Sequence, residues 1–420
     1  MSRQPLHLFE AIGVEVEYMI VDRETLAVRP ISDALIHAEV GAYESEIERG
    51  EIAWSNELAL HVIELKTNGP RGSLDGLESL LQSEVRYINE KLASLGAQLM
   101  PGGMHPWMDP FGETKLWTHE YSPVYEAFHR IFDCRGHGWS NVQSVHLNLP
   151  FADDEEFGRL HAAIRFALPL LPALAASSPI ADARVTGSLD TRLEHYRKNA
   201  QRVPSVSGRV VPEPVFTSDE YQQSLLRRIY LDLEGLDPEG ILRHEWVNAR
   251  GCIARFDRGA IEIRVLDVTE CPRSDVAIAR GIVALVRALA NGELTSAREQ
   301  RSHSTDDLVR TFLDVVRDGD RALVVDERYA RALGHRGALP CRVNELWQSV
   351  LEIDAVRRGM DEDAREVLSL VLDRGPLARR ILDRLGSAPS RDAIAEVYRE
   401  LCTCLADGKL FRGAPAAPRP

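Results

Sequence analysis

Basic residues are in deficit: 50 lysines and arginines face 64 acidic residues in 420, a formal net charge of −14. That balance disfavours nonspecific binding to nucleic acid or to an anionic membrane surface. An anionic substrate stays open, because a metal ion or a few local arginines reverse the sign inside a site. Cysteine is also scarce, with Cys134, Cys252, Cys271, Cys341, Cys402 and Cys404 forming no CxxC pair. Such scatter suits neither a disulfide framework nor a zinc site, and buried or surface thiols are expected instead. Long apolar runs are missing. The longest, Phe166 to Ala176, is broken by Pro169 and Pro172 and is too short to span a bilayer. The opening Met-Ser-Arg-Gln-Pro-Leu-His lacks a signal-peptide apolar region, so a soluble cytoplasmic protein is expected. There is no GxxxxGK[ST] loop, no GxGxxG after a strand and no GxSxG elbow. A nucleotide, if used, is therefore held by neither a Walker cradle nor a dinucleotide fold.

What is present is a recurring design. In Gly13-Val14-Glu15-Val16-Glu17-Tyr18 strand alternation puts Glu15 and Glu17 on one face, about 7 Å apart along the chain, and Val14, Val16 and Tyr18 on the other. Two carboxylates on one face of an apolar strand either stay wet or share a cation. The pattern returns in His61 to Thr67, where Glu64 follows Glu57 upstream. It returns again in Asn141 to Leu149, with His146 and Asn148 on one side and Gln143 on the other, and in Gly259 to Asp267, with Glu262 and Arg264. Placed side by side, the four strands make an oxygen-rich concave site suited to Mg²⁺ or Mn²⁺. Zinc is less suited, because His105, His137 and His146 lack compact ligand spacing. Arg250, Arg255, Arg258 and Arg264 follow within fifteen residues. They can clamp phosphate oxygens or, more blandly, pair with surface acid.

Elsewhere the spacing predicts a helix over 73–95 and a short strand at 97–100. The small-residue loop 101–107 is fit to lie against a ligand. A helix near 124–132, a helix over 155–176 bent at its prolines, and a long connection 177–214 that could cover substrate come next. After Cys271-Pro272 the segments favour helix, so the chain divides near 273. Residues 1–273 are expected to be a catalytic α+β domain, 274–411 a helical region packed on or following it, and 412–420 a disordered tail.

Gly13-Val14-Glu15-Val16-Glu17, the acidic lead into His61 to Thr67, Gly103-Met104-His105-Pro106, and Arg255-Phe256 followed by Ile261-Glu262-Ile263-Arg264-Val265-Leu266-Asp267 together resemble the glutamate-cysteine ligase type 2 family. These are carboxylate-amine ligases of the glutamine synthetase-like superfamily. The resemblance covers roughly residues 8–290 and implies a curved antiparallel sheet forming a funnel-like site, with outer helices. It implies ATP-dependent amide formation through an acyl phosphate, with L-glutamate or a similar acid and an amine as substrates. Glu15, Glu17, Glu57, Glu64 and Glu262 would then hold Mg²⁺. Arg264, Arg255 and Glu262 would serve catalysis, and His146, Asn148, Gln143 and Arg264 would face the nucleotide. Arg192, Tyr196 and Arg197 are candidate contacts for the acid.

One departure bears on the acceptor. Where many relatives carry His-x-His, this chain reads Gln143-Ser144-Val145-His146-Leu147-Asn148, so a different amine, or a peptide or carrier-protein acceptor, enters consideration. Two other readings of the same residues stand beside the ligase: a metal-dependent amidohydrolase or phosphotransferase, and a catalytically inactive partner-binding scaffold. A homodimer is expected on general frequency alone.

Overall fold

The computed structural model describes residues 4–413; residues 414–420, most of the tail expected to be disordered, lie outside the described residues. Its centre is an antiparallel sheet whose main path runs β2 (Glu46–Arg49), β3 (Ile52–Asn56), β4 (Val62–Thr67), β1 (Gly13–Asp22), β6 (Ser144–Pro150), β10 (Ala260–Asp267) and β9 (Cys252–Arg255). A further strand, β5 (Ala97–Met100), pairs with the far half of β1. Alternation decides the two faces. Val14, Val16, Tyr18, Ile63, Leu65, Val145, Leu147, Ile261 and Ile263 point into the apolar core, while the polar residues between them share the opposite face.

Helices cover the apolar face. Leu77–Ala93, Asp154–Ala167 and Pro272–Ala290 pack there and on one another. The first begins later than its apolar spacing suggests because Gly76 is left-handed, with φ of 73°, and cannot continue a helical turn. The 154–167 helix gives way to a 3₁₀ turn at Leu168–Leu170 and a short helix from Pro172, so the expected bend falls at the two prolines. One apolar core contains Leu81, Leu160, Ile282, Phe312, Leu346 and Leu368, residues from both sides of position 273.

Two connections differ from expectation. The 177–214 segment holds the short hairpin β7 (Ile180–Ala181) and β8 (Arg184–Val185) and the helix Thr191–Tyr196, and Val203, Val206, Val210 and Val211 are buried. Arg250 pins it, pairing with Glu213 and donating from Nη1 to the Ser205 carbonyl at 3.0 Å. It is mostly a wall of the core. The loop 101–107 is likewise turned inward: His105 is buried and bonds the Leu26 carbonyl at 2.8 Å, and a side chain at Gly103 would collide with Asp267. The β2–β3 hairpin was hidden in the sequence by its acid-rich composition. No helix among the described residues is long and apolar enough to cross a membrane.

Candidate active site

The polar face of the sheet forms the floor of a cavity of about 590 Å³. Register brings the four strands together: Glu17 sits opposite Glu64, Glu15 opposite both Lys66 and His146, and Glu262 opposite Asn148. Directly opposed side chains in an antiparallel pair are about 5 Å apart. Glu15, Glu17, Glu57, Glu64, Glu262, His146, Arg255 and Arg264 all line this one cavity. Asn148 stands just behind, donating to Glu15 Oε1 at 3.1 Å. Gln143 is not among the lining residues. It is fully buried, its amide atoms meet no partner, and period-two alternation from Ser144 turns it toward the other face.

His146 ties the centre together. Its Nδ1 lies 3.0 Å from Glu15 Oε2 and 3.8 Å from Glu262 Oε1, and its Nε2 lies 3.9 Å from Glu17 Oε1. Burial works against protonation, but the bond to Glu15 and the charges of Glu17 and Glu262 prevail and lift its pKa to about 9. On the β10 side Arg264 Nε donates to Glu262 Oε1 at 3.0 Å, and Arg255 Nη1 stands 3.7 Å from Glu262 Oε2. Burial alone would raise the Glu262 pKa; Arg264, His146 and Arg255 outweigh it and bring it down to about 2. A bulge between Ile263 and Leu266 adds one residue to β10 at this point. Such bulges re-aim side chains beside functional sites.

The β3–β4 side is the reverse. Burial, reinforced by Glu15 and Glu17, raises the Glu64 pKa to about 7 although Lys66 stands 3.6 Å away and Ser55 Oγ donates at 2.5 Å. Burial and the charges of Glu17 and Glu64 push Glu57 well above the usual carboxylate range. Lys66 does not offset burial and the charges of Glu15 and Glu17. Two overlapping sets, Glu15 with His146 and Glu262, and Glu17 with Glu64 and His146, offer ligand atoms within 4.8 Å of one another. An all-carboxylate array with one imidazole and no thiol fits a hard divalent ion such as Mg²⁺ or Mn²⁺.

Over this charged floor stands a ring-bearing wall that the sequence alone did not assign. Tyr121, Tyr125 and Phe128 come from the helix Ser122–Phe132 and the residue before it, and Trp139 and Trp246 join them. Phe128 lies 5.2 Å from the Trp139 ring and 5.9 Å from the Trp246 ring. The aromatic density of 117–139 was the available signal. Arg192, Tyr196 and Arg258 also line the cavity, whereas Arg197 turns outward to Glu194.

One line of atoms imitates a hydrolase: Ser144 Oγ is 2.9 Å from His146 Nε2, whose Nδ1 faces Glu15. The same hydroxyl donates to Glu17 Oε2 at 3.0 Å, so its proton is directed at the carboxylate and away from the imidazole. Ser144 is thereby a brace for Glu17, whose Oε2 also accepts from the Ser144 N–H at 2.7 Å.

Comparison with known proteins agrees with this layout. A protein of Archaeoglobus fulgidus described as uncharacterized is 34% identical over 405 residues, covering 95% of this chain and all of that one. A Corynebacterium glutamicum protein provisionally named glutamate–cysteine ligase 2 is 26% identical over 335 residues, 75% of this chain and 80% of that protein. Among solved structures, the Francisella tularensis glutamate–cysteine ligase in complex with AMP superposes with a TM-score of 0.61 at 15% identity, over 98% of this chain and 90% of that one. That likeness establishes the fold, a curved and open antiparallel sheet with outer helices. The model of glutamate-cysteine ligase family 2 matches residues 11–402, and the chain belongs to that family.

Proposed function

We propose that the protein is an ATP- and Mg²⁺-dependent carboxylate-amine ligase that takes glutamate as its acid and forms an amide through an acyl phosphate. The observation that carries this reading is the division of charge across one cavity. Burial and neighbouring carboxylates raise the pKa values of Glu57 and Glu64, with Lys66 as the cation beside Glu64. Facing them, Glu262 is flanked by two guanidiniums, Arg264 and Arg255, so that side carries net positive charge. Glu15, Glu17, Glu57, Glu64 and Glu262 would hold the divalent ions, which would supply charge neutralisation for the phosphate oxygens, with His146 beside them facing the nucleotide.

The chain's own groups do the rest. A free carboxylate is a poor electrophile, so its oxygen must first take the γ-phosphoryl group, with ADP leaving; the amine then attacks the acyl carbon and phosphate departs. Arg264 and Arg255, both lining the cavity, would offset negative charge on the moving phosphoryl group. Tyr125, Phe128, Trp139 and Trp246 form an apolar roof that limits water beside a hydrolysable intermediate. The acceptor is a small amine, with a peptide or carrier protein as the wider class. Purified protein with Mg²⁺-ATP, L-glutamate and a panel of amines including cysteine tests the reading. ADP formation requiring both acid and amine, with an amide of matching mass, is expected. Nucleotide hydrolysis indifferent to the acid would defeat it.

The alternative is a metal-dependent amidohydrolase using the same oxygen-rich floor, where Glu15, His146 and Glu262 converge. Release of ammonia or amine from an amide without nucleotide would identify it.

A further inference from the structure

We propose that the Thr191–Tyr196 helix is a two-point positioning clamp on Arg264, with Arg192 locked into it by Asp267; the kinetic part of its test rests on the ligase reading above. Arg192 and Tyr196 are four residues apart and so share one helix face. Arg192 Nη1 and Nη2 reach the Arg264 carbonyl at 3.5 and 3.4 Å, and Tyr196 Oη lies 3.5 Å from Arg264 Nη1. The first contact takes up a carbonyl beside the β10 bulge, and the second touches the guanidinium itself. The Arg264 backbone N–H is fixed separately, donating to the Gly251 carbonyl at 3.0 Å. The bulge that aims Arg264 at Glu262 is thus held from both sides.

Arg192 has little freedom of its own. It is 1% exposed, and its Nε donates to Asp267 Oδ1 in a fully buried ion pair. Asp267 Oδ2 accepts from the Ser177 N–H at 2.8 Å and from Ser178 Oγ at 2.7 Å. Ser178 Oγ in turn accepts from the Arg192 N–H at 3.1 Å, and Asp190 caps the helix through the Leu193 N–H at 2.8 Å. This network also gives Gly103 of the Gly-Met-His-Pro motif a purpose away from the cavity. A Cβ there would sit 2.4 Å from the Asp267 Cγ, and the Gly103 N–H donates to Ser177 Oγ at 2.7 Å. Asp267 pairs in register with Ser144, which braces Glu17, so the clamp and the carboxylate floor share one strand pair.

Arg192→Lys keeps the charge and loses the planar fork that bridges Asp267 to the carbonyl. At a temperature well below melting, Arg192→Lys and Asp267→Asn should lower kcat about 10–100-fold, with Mg²⁺-ATP dissociation constants within about twofold of wild type. Tyr196→Phe should give a smaller loss of the same kind. An unchanged kcat in folded Arg192→Lys, or equal losses of kcat and nucleotide affinity, would overturn the clamp. A second readout needs no turnover: hydrogen exchange at the ¹⁵N-labelled Arg264 Nε should accelerate about tenfold in Arg192→Lys. Unchanged exchange refutes the clamp; accelerated exchange in a protein inactive with every acid and amine upholds it and counts against the ligase reading alone.

Discussion

The two walls of the cavity are built from the same residue type and behave oppositely. On β10, Glu262 is ringed by Arg264, Arg255 and His146 and is held ionised down to a pH of about 2. On β4, Glu64 faces Glu17 across the ladder and titrates near 7. Burial raises both pKa values, and the sign of the neighbouring charges decides which way each one ends. One wall is therefore held by ion pairs to two arginines and a histidine, and the other brings carboxylates together with Lys66 alone beside them.

The largest expected effect breaks the ion-paired wall. Glu262→Gln should lower turnover by roughly 10²–10³-fold and also destabilise the fold, because Arg264 and Arg255 lose their buried partner. Glu64→Gln should move stability the other way, adding about 1 kcal/mol to the empty protein by removing an opposed like charge, while weakening Mg²⁺ binding. Parallel denaturant melts of the two variants, with activity assays, check the opposite signs. Saturation with Mg²⁺ should sharpen the contrast by raising the wild-type melting temperature. At a hundredfold excess over its dissociation constant the gain is ~2.7 kcal/mol, and it should shrink at pH 5, where Glu64 carries a proton.

The pH dependence carries two opposed trends. Away from the cavity, burial lowers the His61, His105 and His161 pKa values to about 4. Between there and the unfolded value near 6.5 the unfolded chain binds more protons, so stability falls as pH falls, by up to ~1.4 kcal/mol per pH unit for each histidine. Glu64 contributes the reverse. Its folded pKa of about 7 exceeds the unfolded value of 4.5, so the folded state binds the extra proton and stability declines as pH rises through that window. The difference between wild type and Glu64→Gln isolates the second trend and should widen toward neutral pH in chemical denaturation. The smallest effect is expected from Ser144→Ala. As a brace it should cost less than about tenfold in turnover, whereas loss of a nucleophile would cost several orders of magnitude.

Much of the floor was legible because strand alternation is a strict rule. Glu15, Glu17, Glu64, His146, Glu262 and Arg264 could each be given a face from the local sequence, and antiparallel pairing then places those faces side by side. The C-terminal helices were legible from apolar spacing. Alternation likewise put Gln143 on the opposite face, and the structure keeps it buried there; only the nucleotide-facing role implied by the resemblance ran against that reading. The loop 101–107 looked fit to lie against a ligand, and the connection 177–214, of which Arg192, Tyr196 and Asn199 do line the cavity, looked like a cover. Both readings rest on glycine, proline and arginine, which are shared by mobile loops and by tightly packed junctions. Only the Gly103–Asp267 approach and the Arg250–Glu213 pair reveal the second case. The aromatic wall comes from 121–139 and 246, a sequence separation that no local pattern bridges.

The central claim is that the acid is phosphorylated before the amine attacks. It is tested most directly with the acid labelled with ¹⁸O in its carboxylate. Transfer of one labelled oxygen to the phosphate released with the amide is the predicted result. Amide formation accompanied by unlabelled phosphate would contradict it.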